Sequence, residues 1–284
     1  MNIRMDLPEK EKLDYLNLQK GFLGEKKFDE YLSNLSKDWT VLNDLLLETN
    51  NTSYQIDSLC IHSETNYLFE VKNYEGDFYI ENDTWYSLSG KEITNPLQQL
   101  HRIESLFRRF IKSSGFNYSI ESYLIFINPE FHLYNAPRNL QIVFPPQINR
   151  FMKNLENKSS NLAKNHTKLV DRLLASHMQV SPYKRIPKYT LNDLKKGITC
   201  MKCQSFYTSF IRKTLECSYC AHKEDVTNAV LRSIAELTIL FPETKITTKI
   251  IHEWCKNIPF QTIQRIISKN FNLFGHGKSA YYVK

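Results

Sequence analysis

The sequence predicts an α/β domain with a mixed sheet flanked by helices, followed by a small cysteine-containing module and a helical module. Three observations support this order. Short apolar runs separated by turn residues fill most of the first 155 residues, between helical segments. Two CxxC pairs follow residue 199, and the last 60 residues contain three helical stretches. A chain of 284 residues is long enough for more than one packed core.

The first element is a helix predicted over residues 8–36. Phe28, Leu32 and Leu35 recur at helical spacing and give this helix an apolar face. Glu25 precedes Phe28 by three residues and therefore lies on the same face. A carboxylate at that position is either buried and paired or functional.

Strands then alternate with turns up to a second helix. Asn50 to Ser53 and Ser63 to Asn66 read as turns, and Pro96 suits the first position of a helix. The domain is predicted to end near residue 155. The predicted strands are Trp39–Leu42, Tyr54–His62, Tyr67–Lys72, Phe78–Ile80, Thr84–Leu88, Tyr123–Ile127 and Leu140–Phe144.

Charge divides the chain into two halves. Residues 1–155 carry 16 Lys and Arg against 21 Asp and Glu, whereas residues 156–284 carry 21 against 9. Such an asymmetry favours a polyanionic partner for the second half, although a solvated basic surface is the alternative. The N-terminal segment lacks the apolar core of a secretion signal, and no apolar run is long enough for a membrane helix. We therefore expect a cytoplasmic protein with no membrane contact.

Two carboxylates and a lysine are predicted to converge in the first domain. Asp57 lies in one strand, and Glu70 and Lys72 point to the same face of the next strand. Carboxylates are ligands that Mg²⁺ prefers, and such an ion activates water for phosphodiester hydrolysis while Lys72 stabilises the phosphate. A Glu-x-Lys pair on a strand is otherwise a solvent-facing charge pair. Glu70 sits in an apolar run, however, where an uncompensated carboxylate is costly.

Several short motifs in order resemble the nuclease-related domain family. They are Gly24-Glu25, Gln55-Ile56-Asp57, Phe69-Glu70-Val71-Lys72-Asn73 with Gly76, Trp85, and Asn95-Pro96-x-x-Gln99. The resemblance covers about residues 20–130. That family is usually placed in the PD-(D/E)xK nuclease superfamily, which has a restriction-endonuclease-like core.

The resemblance implies a role for each matching residue. Asp57 and Glu70 would be Mg²⁺ ligands, with Mn²⁺ as a substitute, and Lys72 would be the catalytic lysine. Glu25 would be the helix carboxylate and Gln99 a polar residue of the site. For Gln99 the alternative is that it merely caps its helix.

The second half contains a paired cysteine motif. Cys200 and Cys203 are followed after 13 residues by Cys217 and Cys220, the spacing of a Zn²⁺-binding ribbon with four thiolate ligands. Two disulfides are the alternative, which fits poorly with a cytosolic chain. With four protein ligands the site is expected to be structural. Cys60 and Cys255 are predicted to be buried thiols.

The C-terminal segment is predicted to be a winged-helix-like module. Helices near residues 226–240, 246–256 and 260–271 would be followed by a wing hairpin over residues 274–282. Polar side chains on the third helix and wing would contact DNA, although a three-helix packing module is the alternative. The predicted contact residues are Gln261, Thr262, Gln264, Arg265, Lys269, His276 and Lys278.

These observations predict a Mg²⁺-dependent DNA nuclease with C-terminal targeting modules. The alternatives are a catalytically inactive DNA-binding regulator or scaffold, and an enzyme acting on RNA. A homodimer is possible. The predicted division is a nuclease-related domain at 1–155, a basic helical linker at 156–197, a zinc ribbon at 198–224 and a winged helix-turn-helix-like module at 225–284.

Overall fold

The chain forms two structural units in the computed structural model, which describes residues 4–158, 166–180 and 187–283. The central unit comprises residues 13–185, and the terminal unit combines residues 1–12 with residues 186–284. Helix α1 (Glu9–Leu32) begins in the terminal unit and continues into the central unit. The predicted domain boundaries at 155, 197 and 224 remain predictions.

The central unit contains most of α1, helices α2 to α4 and strands β1 to β9. The helices after α1 are α2 (Pro96–Ser113), α3 (Ile148–Glu156) and α4 (His166–Ser176). The strands are β1 (Thr40–Thr49), β2 (Thr52–His62), β3 (Thr65–Lys72), β4 (Gly76–Glu81), β5 (Thr84–Ser87), β6 (Glu92–Ile93), β7 (Ser119–Phe126), β8 (Phe131–Tyr134) and β9 (Ile142–Val143).

The main sheet is mixed, with the strand order β1-β2-β3-β7-β9. The first three strands are antiparallel neighbours, whereas β7 and β9 run parallel to β3. Helices cover both faces of this sheet. Successive side chains of a strand point to opposite faces, so neighbouring residues pack against different helices. Leu68 packs in the cluster with α2 and α4, and Phe69 packs in the cluster with α1 and α3. This confirms the predicted mixed sheet flanked by helices.

A second sheet lies in the same unit, with the order β6-β5-β4-β8. Its inner face carries Ile80, Trp85 and Phe131, which pack with Phe126 of the main sheet. Strand β8 was not predicted, because its four residues are stabilised by parallel pairing with β4 rather than by a local turn. Helix α3 was also missed.

The turn predicted between β1 and β2 is present, whereas the strand before it is longer than predicted. Asn50 and Asn51 both have positive φ in the β1–β2 turn, a conformation that asparagine tolerates. Strand β1 extends seven residues beyond the predicted Leu42. The reason is tertiary, because every additional pairing is to β2.

The terminal unit combines a small sheet with three helices and a hairpin. The sheet contains β10 (Ser209–Ile211), β11 (Thr214–Glu216) and β12 (Lys223–Asp225). The helices are α5 (Val226–Leu240), α6 (Thr248–Cys255) and α7 (Phe260–Asn270), followed by the hairpin of β13 (Asn272–Phe274) and β14 (Tyr281–Val283). Ile246 forms an isolated antiparallel bridge with Tyr282, which connects the segment before α6 to this hairpin.

One apolar cluster joins the parts of the terminal unit. It includes Cys200 and Leu215 of the cysteine-containing region together with Val230, Trp254 and Ile263 of the helices. The N-terminal segment also belongs to this unit. The fully buried Arg4 guanidinium pairs with Glu236 at 2.6 Å and lies 3.9 Å above the Trp254 ring.

Two findings bear on the predictions about membrane contact and about the two cysteines outside the cluster. Within the described residues, no helix has the length and apolar character that a membrane crossing requires. Cys60 and Cys255 are buried free thiols, as predicted.

Candidate functional site

The β2–β3 pair brings Asp57 and Glu70 to the same part of the main sheet. Ser58 pairs with Phe69 in the antiparallel register, so the preceding and following residues are also neighbours. The Asp57 Oδ2 atom accepts a hydrogen bond from the Val71 backbone N–H at 2.8 Å. This contact fixes the orientation of the Asp57 carboxylate beside the strand that carries Glu70.

Lys72 connects Glu70 to Gln99. Its Nζ atom lies 2.5 Å from Glu70 Oε1 and donates to Gln99 Oε1 at 3.1 Å. Glu70 is only 2 % exposed, and the Lys72 ammonium compensates its buried charge. The solvent-facing pair that Glu-x-Lys usually forms is therefore not what the structure contains.

The start of α2 explains why Gln99 points to this lysine. Asn95 is the N-cap, and its Oδ1 atom accepts from the Leu97 backbone N–H at 2.9 Å, while Pro96 fills the first helical position. Gln99 is therefore not the capping residue. Its side-chain oxygen is free to accept from Lys72 because Asn95 satisfies the helix terminus.

Helix α1 approaches the end of β3 so closely that Gly24 is required there. A Cβ atom on Gly24 would lie 2.6 Å from the Asn73 Cβ atom. Asn73 also donates from Nδ2 to the Lys20 carbonyl at 2.7 Å, which holds the helix against the strand. The Gly24-Glu25 motif thus has a packing reason, and Glu25 is carried to the edge of the carboxylate group.

The carboxylates of the site repel one another. Burial and then the Asp57 charge raise the pKa of Glu25 to about 7. The same two causes raise the pKa of Glu70 to about 7, and burial raises the pKa of Asp57. Burial alone would lower the pKa of Lys72, but the charge and hydrogen bond of Glu70 outweigh it and raise the pKa. One ammonium thus faces several carboxylates, an electrostatic setting that favours an additional cation.

Two further carboxylates contribute to this field and were not predicted. Asp29 follows Glu25 by one helical turn on α1, and its charge raises the Glu25 pKa. Asp44 has a positive φ in β1, between the Asn43–Ser58 and Leu45–Ile56 pairs, and therefore lies across from Asp57. The spacing from Glu25 would have indicated Asp29. Asp44 depends on strand register, which the sequence did not reveal.

The residues of the site suit a hard divalent cation. Asp57 and Glu70 supply carboxylate oxygens, and burial raises the pKa of both. These side chains come from two adjacent strands of a buried sheet, which restrains them. The donor set therefore fits Mg²⁺ or Mn²⁺.

The four predicted cysteines converge on a second candidate metal site. The sulfur atoms of Cys200, Cys203, Cys217 and Cys220 all lie within 4.8 Å of one another. The Cys200–Cys220 and Cys203–Cys217 Sγ distances are 3.6 and 3.5 Å. Tetrahedral Zn²⁺ with bonds of ~2.3 Å requires sulfur separations of about 3.8 Å. The cysteines are free thiols, so the disulfide alternative is wrong.

The two cysteine pairs have the same local backbone structure. In the first, the Gln204 N–H donates to the Cys200 carbonyl at 3.0 Å, and in the second the Ala221 N–H donates to the Cys217 carbonyl at 2.9 Å. Gln204 and Ala221 both have positive φ. This repeated turn aims each pair of sulfurs inward. A hydrogen bond from Ser205 also lowers the pKa of Cys217 to about 6, which favours the thiolate that a metal needs.

The predicted nucleic-acid-binding residues lie on α7 and the hairpin that follows it. The isoleucines of α7 face the core, which leaves its polar side chains on the opposite face. Gln261, Gln264, Arg265 and Lys269 are exposed, and Thr262 is half-buried. His276 is exposed between β13 and β14, and the Lys278 side chain lies outside the described part of the chain. Thr247 is the N-cap of α6, because its Oγ1 atom accepts from the Ile250 N–H at 3.2 Å.

Comparison with known protein families finds a match that lies within the central unit. The comparisons with curated proteins and with solved structures gave no match. A family model described as the nuclease-related domain matches residues 20–127, and this range contains Glu25, Asp57, Glu70, Lys72 and Gln99. The match confirms the resemblance that the ordered motifs had indicated. Residues 20–127 of this chain therefore form a nuclease-related domain.

Proposed function

We propose that this protein is a metal-dependent nuclease that hydrolyses phosphodiester bonds of DNA. The observation that carries the proposal is the convergence of Asp57, Glu70 and Lys72 inside the segment that matches the nuclease-related domain. Two restrained carboxylates and an ammonium are the groups that metal-assisted phosphodiester hydrolysis requires. The raised pKa values of the carboxylates add an electrostatic reason for a divalent cation.

Each side chain then has a distinct role. A Mg²⁺ or Mn²⁺ ion bound by Asp57 and Glu70 would supply Lewis acidity toward the phosphate and an activated water. The Val71 N–H orients Asp57, and Gln99 orients Lys72. Lys72 would donate to the phosphate oxygens as negative charge develops on them. Glu25 would hold water molecules at the edge of the site, because it lies beside the carboxylates and is half-buried.

The terminal unit would bind the substrate. We interpret its three helices and hairpin as a winged-helix-like module, and α7 presents glutamine, arginine and lysine side chains to solvent. These side chains can contact base edges and phosphates in a major groove. The cysteine cluster would hold a structural Zn²⁺, because all four coordination positions are filled by protein.

The decisive experiment is cleavage of supercoiled, linear and single-stranded DNA in Mg²⁺ or Mn²⁺, with an RNA of the same sequence as a further substrate. Asp57→Ala and Glu70→Gln should abolish cleavage while DNA binding persists. Glu64→Gln is a matched control, since Glu64 is exposed in the turn between the same two strands. Equal cleavage by wild type and both site variants would contradict the assignment of the site.

A second candidate function is that of a DNA-binding regulator or scaffold without catalysis. The Lys72–Glu70 ion pair favours it, because the ammonium already neutralises one carboxylate. In that case no metal would support cleavage by the wild type, whereas DNA binding would remain.

Binding by α7 has its own test. Replacing both Arg265 and Lys269 with alanine should weaken binding and reduce the slope of log K against log salt by about 1.8, since each lost phosphate contact contributes ~0.9. Lys37→Ala, an exposed change in the central unit, serves as the control for net charge. An unchanged slope in the double variant would leave α7 with a packing role only.

A further inference from the structure

The outer face of the second sheet carries an unusual row of aromatic side chains. Tyr79 pairs with Tyr86 on one side and with Tyr134 on the other, so the three tyrosines cross β5, β4 and β8 in one line. The Tyr79 and Tyr86 rings are stacked, with centroids 5.2 Å apart. Tyr134 is 54 % exposed. We refer to these three residues as the tyrosine row.

This face lies opposite to the packed face of the sheet. Ile80, Trp85 and Phe131 are neighbours of the tyrosines in sequence and are buried in the cluster beneath the sheet. Side-chain alternation therefore directs the tyrosine row outward. Tyr134 is exposed, and Tyr79 and Tyr86 are half-buried. The solvent-facing side of a sheet is ordinarily polar, so three adjacent aromatic residues on this side indicate a binding surface.

The surroundings of the tyrosine row are acidic. Residues 76–93 contain Asp77, Glu81, Asp83 and Glu92 but only one lysine or arginine, Lys91. Glu92 pairs with Tyr86 across the strands, and the Tyr134 hydroxyl donates to Asp77 Oδ1 at 3.4 Å. His132 pairs with Asp77 across β8 and β4 and is also exposed. The charge of this face would repel the phosphates of a nucleic acid and attract a cation.

We propose that the tyrosine row is a docking surface for a protein segment rich in arginine. The planar guanidinium stacks on aromatic rings and pairs with carboxylates at the same time, which matches tyrosines bordered by Asp77, Glu81 and Glu92. Tyrosine and arginine are also the residues enriched at protein interfaces. None of these residues belongs to the carboxylate site, so the proposal is independent of nuclease activity.

The test uses the full-length chain and three fluorescent probes at low salt. They are a ten-residue peptide of alternating arginine and serine, the same peptide with glutamate in place of arginine, and a single-stranded oligothymidine of ten nucleotides. The arginine peptide should bind more tightly than the glutamate peptide. Tyr79→Ala and Tyr134→Ala should each weaken its binding at least fivefold, and Glu81→Gln with Glu92→Gln should do the same. Tyr219→Ala is the matched control, since Tyr219 is 79 % exposed in the terminal unit.

The binding results distinguish the arginine-docking proposal from its alternatives. Affinities for the arginine peptide that are equal in all variants, or reduced as much by Tyr219→Ala, would overturn the proposal. Oligothymidine binding that is lost in the tyrosine variants, with no binding of the arginine peptide, would replace it with a base-stacking surface. If Tyr79→Ala lowers the melting temperature, Tyr134→Ala and the exposed glutamate variants still give the answer.

Discussion

The two candidate metal sites differ in how the chain assembles them. The four cysteines come from two short turns with the same hydrogen bonds, separated by one hairpin. The carboxylate site collects Glu25 from α1, Asp57 and Glu70 from adjacent strands, and Gln99 from α2. A metal in the first would be closed off by four protein ligands, whereas the second offers carboxylates together with a lysine.

We infer from this difference that the cysteine cluster maintains the fold, whereas the carboxylate site is suited to chemistry. A closed thiolate site holds its metal to maintain a fold, because no position remains for substrate. The carboxylate site carries unfavourable repulsion between its carboxylates, which raises the pKa of Glu25 and Glu70 to about 7. Such repulsion is tolerable where a cation and a phosphate are to be bound. Removal of a ligand should therefore have opposite effects on folding at the two sites.

The largest effect is expected at the cysteine cluster. Cys217→Ser should abolish zinc binding and unfold residues around the hairpin, since structural Zn²⁺ contributes about 10–16 kcal/mol of apparent binding free energy in small domains. Metal analysis and limited proteolysis measure both consequences. Ser218→Ala, an exposed change in the same turn, should leave one zinc per chain. A wild-type protein that contains no zinc would contradict the prediction.

A smaller but still large effect is expected for Lys72→Met. Loss of the ammonium that we propose to act on the scissile phosphate should reduce the cleavage rate by about 100-fold to 1,000-fold, while DNA affinity stays the same. Single-turnover cleavage and a binding isotherm separate the two. Lys91→Met, on the exposed edge of the second sheet, is the control. Cleavage at the wild-type rate would remove Lys72 from the mechanism.

Glu70→Gln is expected to increase the stability of the metal-free protein, in contrast to Cys217→Ser. The amide removes a charge whose burial and repulsion by Asp57 outweigh its pairing with Lys72, so the metal-free variant should be more stable than wild type at pH 8 by ~1–3 kcal/mol. The pKa of Glu70 is raised from 4.5 to about 7 in the folded protein, so its destabilising contribution develops as pH rises from 4.5 through 7. The difference should therefore vanish near pH 4. Thermal melts in EDTA measure it, and a variant less stable than wild type at pH 8 would contradict the repulsion.

The smallest effect is expected for Gln99→Ala. Lys72 loses one hydrogen bond of 3.1 Å but keeps its ion pair with Glu70, so cleavage should fall only about tenfold. The adjacent Gln98→Ala is a matched control, because Gln98 is also exposed near the start of α2. Equal rates for the two variants would mean that Gln99 does not position the lysine.

Local signals account for the parts of the fold that were predicted well. The helices of the terminal unit lie within a few residues of their predicted ranges, because each has a clear apolar period and a cap or proline at its start. The paired cysteines were recognised for the same reason, since their ligands lie close in sequence. Strand β8, the extension of β1 and the carboxylate of Asp44 were missed because each depends on a partner strand.

The sequence by itself determined which chemical groups this protein has: the ordered Glu25, Asp57, Glu70 and Lys72 of a nuclease-related domain, and the four cysteines of a zinc-type cluster. Only the tertiary structure decided how they meet. The antiparallel β2–β3 register sets Asp57 against the Val71 N–H, and the close approach of α1 at Gly24 brings Glu25 near enough for its charge to interact with that of Asp57. The tyrosine row likewise exists only across three strands. The physical reason is that side-chain periodicity is local, whereas strand register and helix contact depend on residues far apart in the chain.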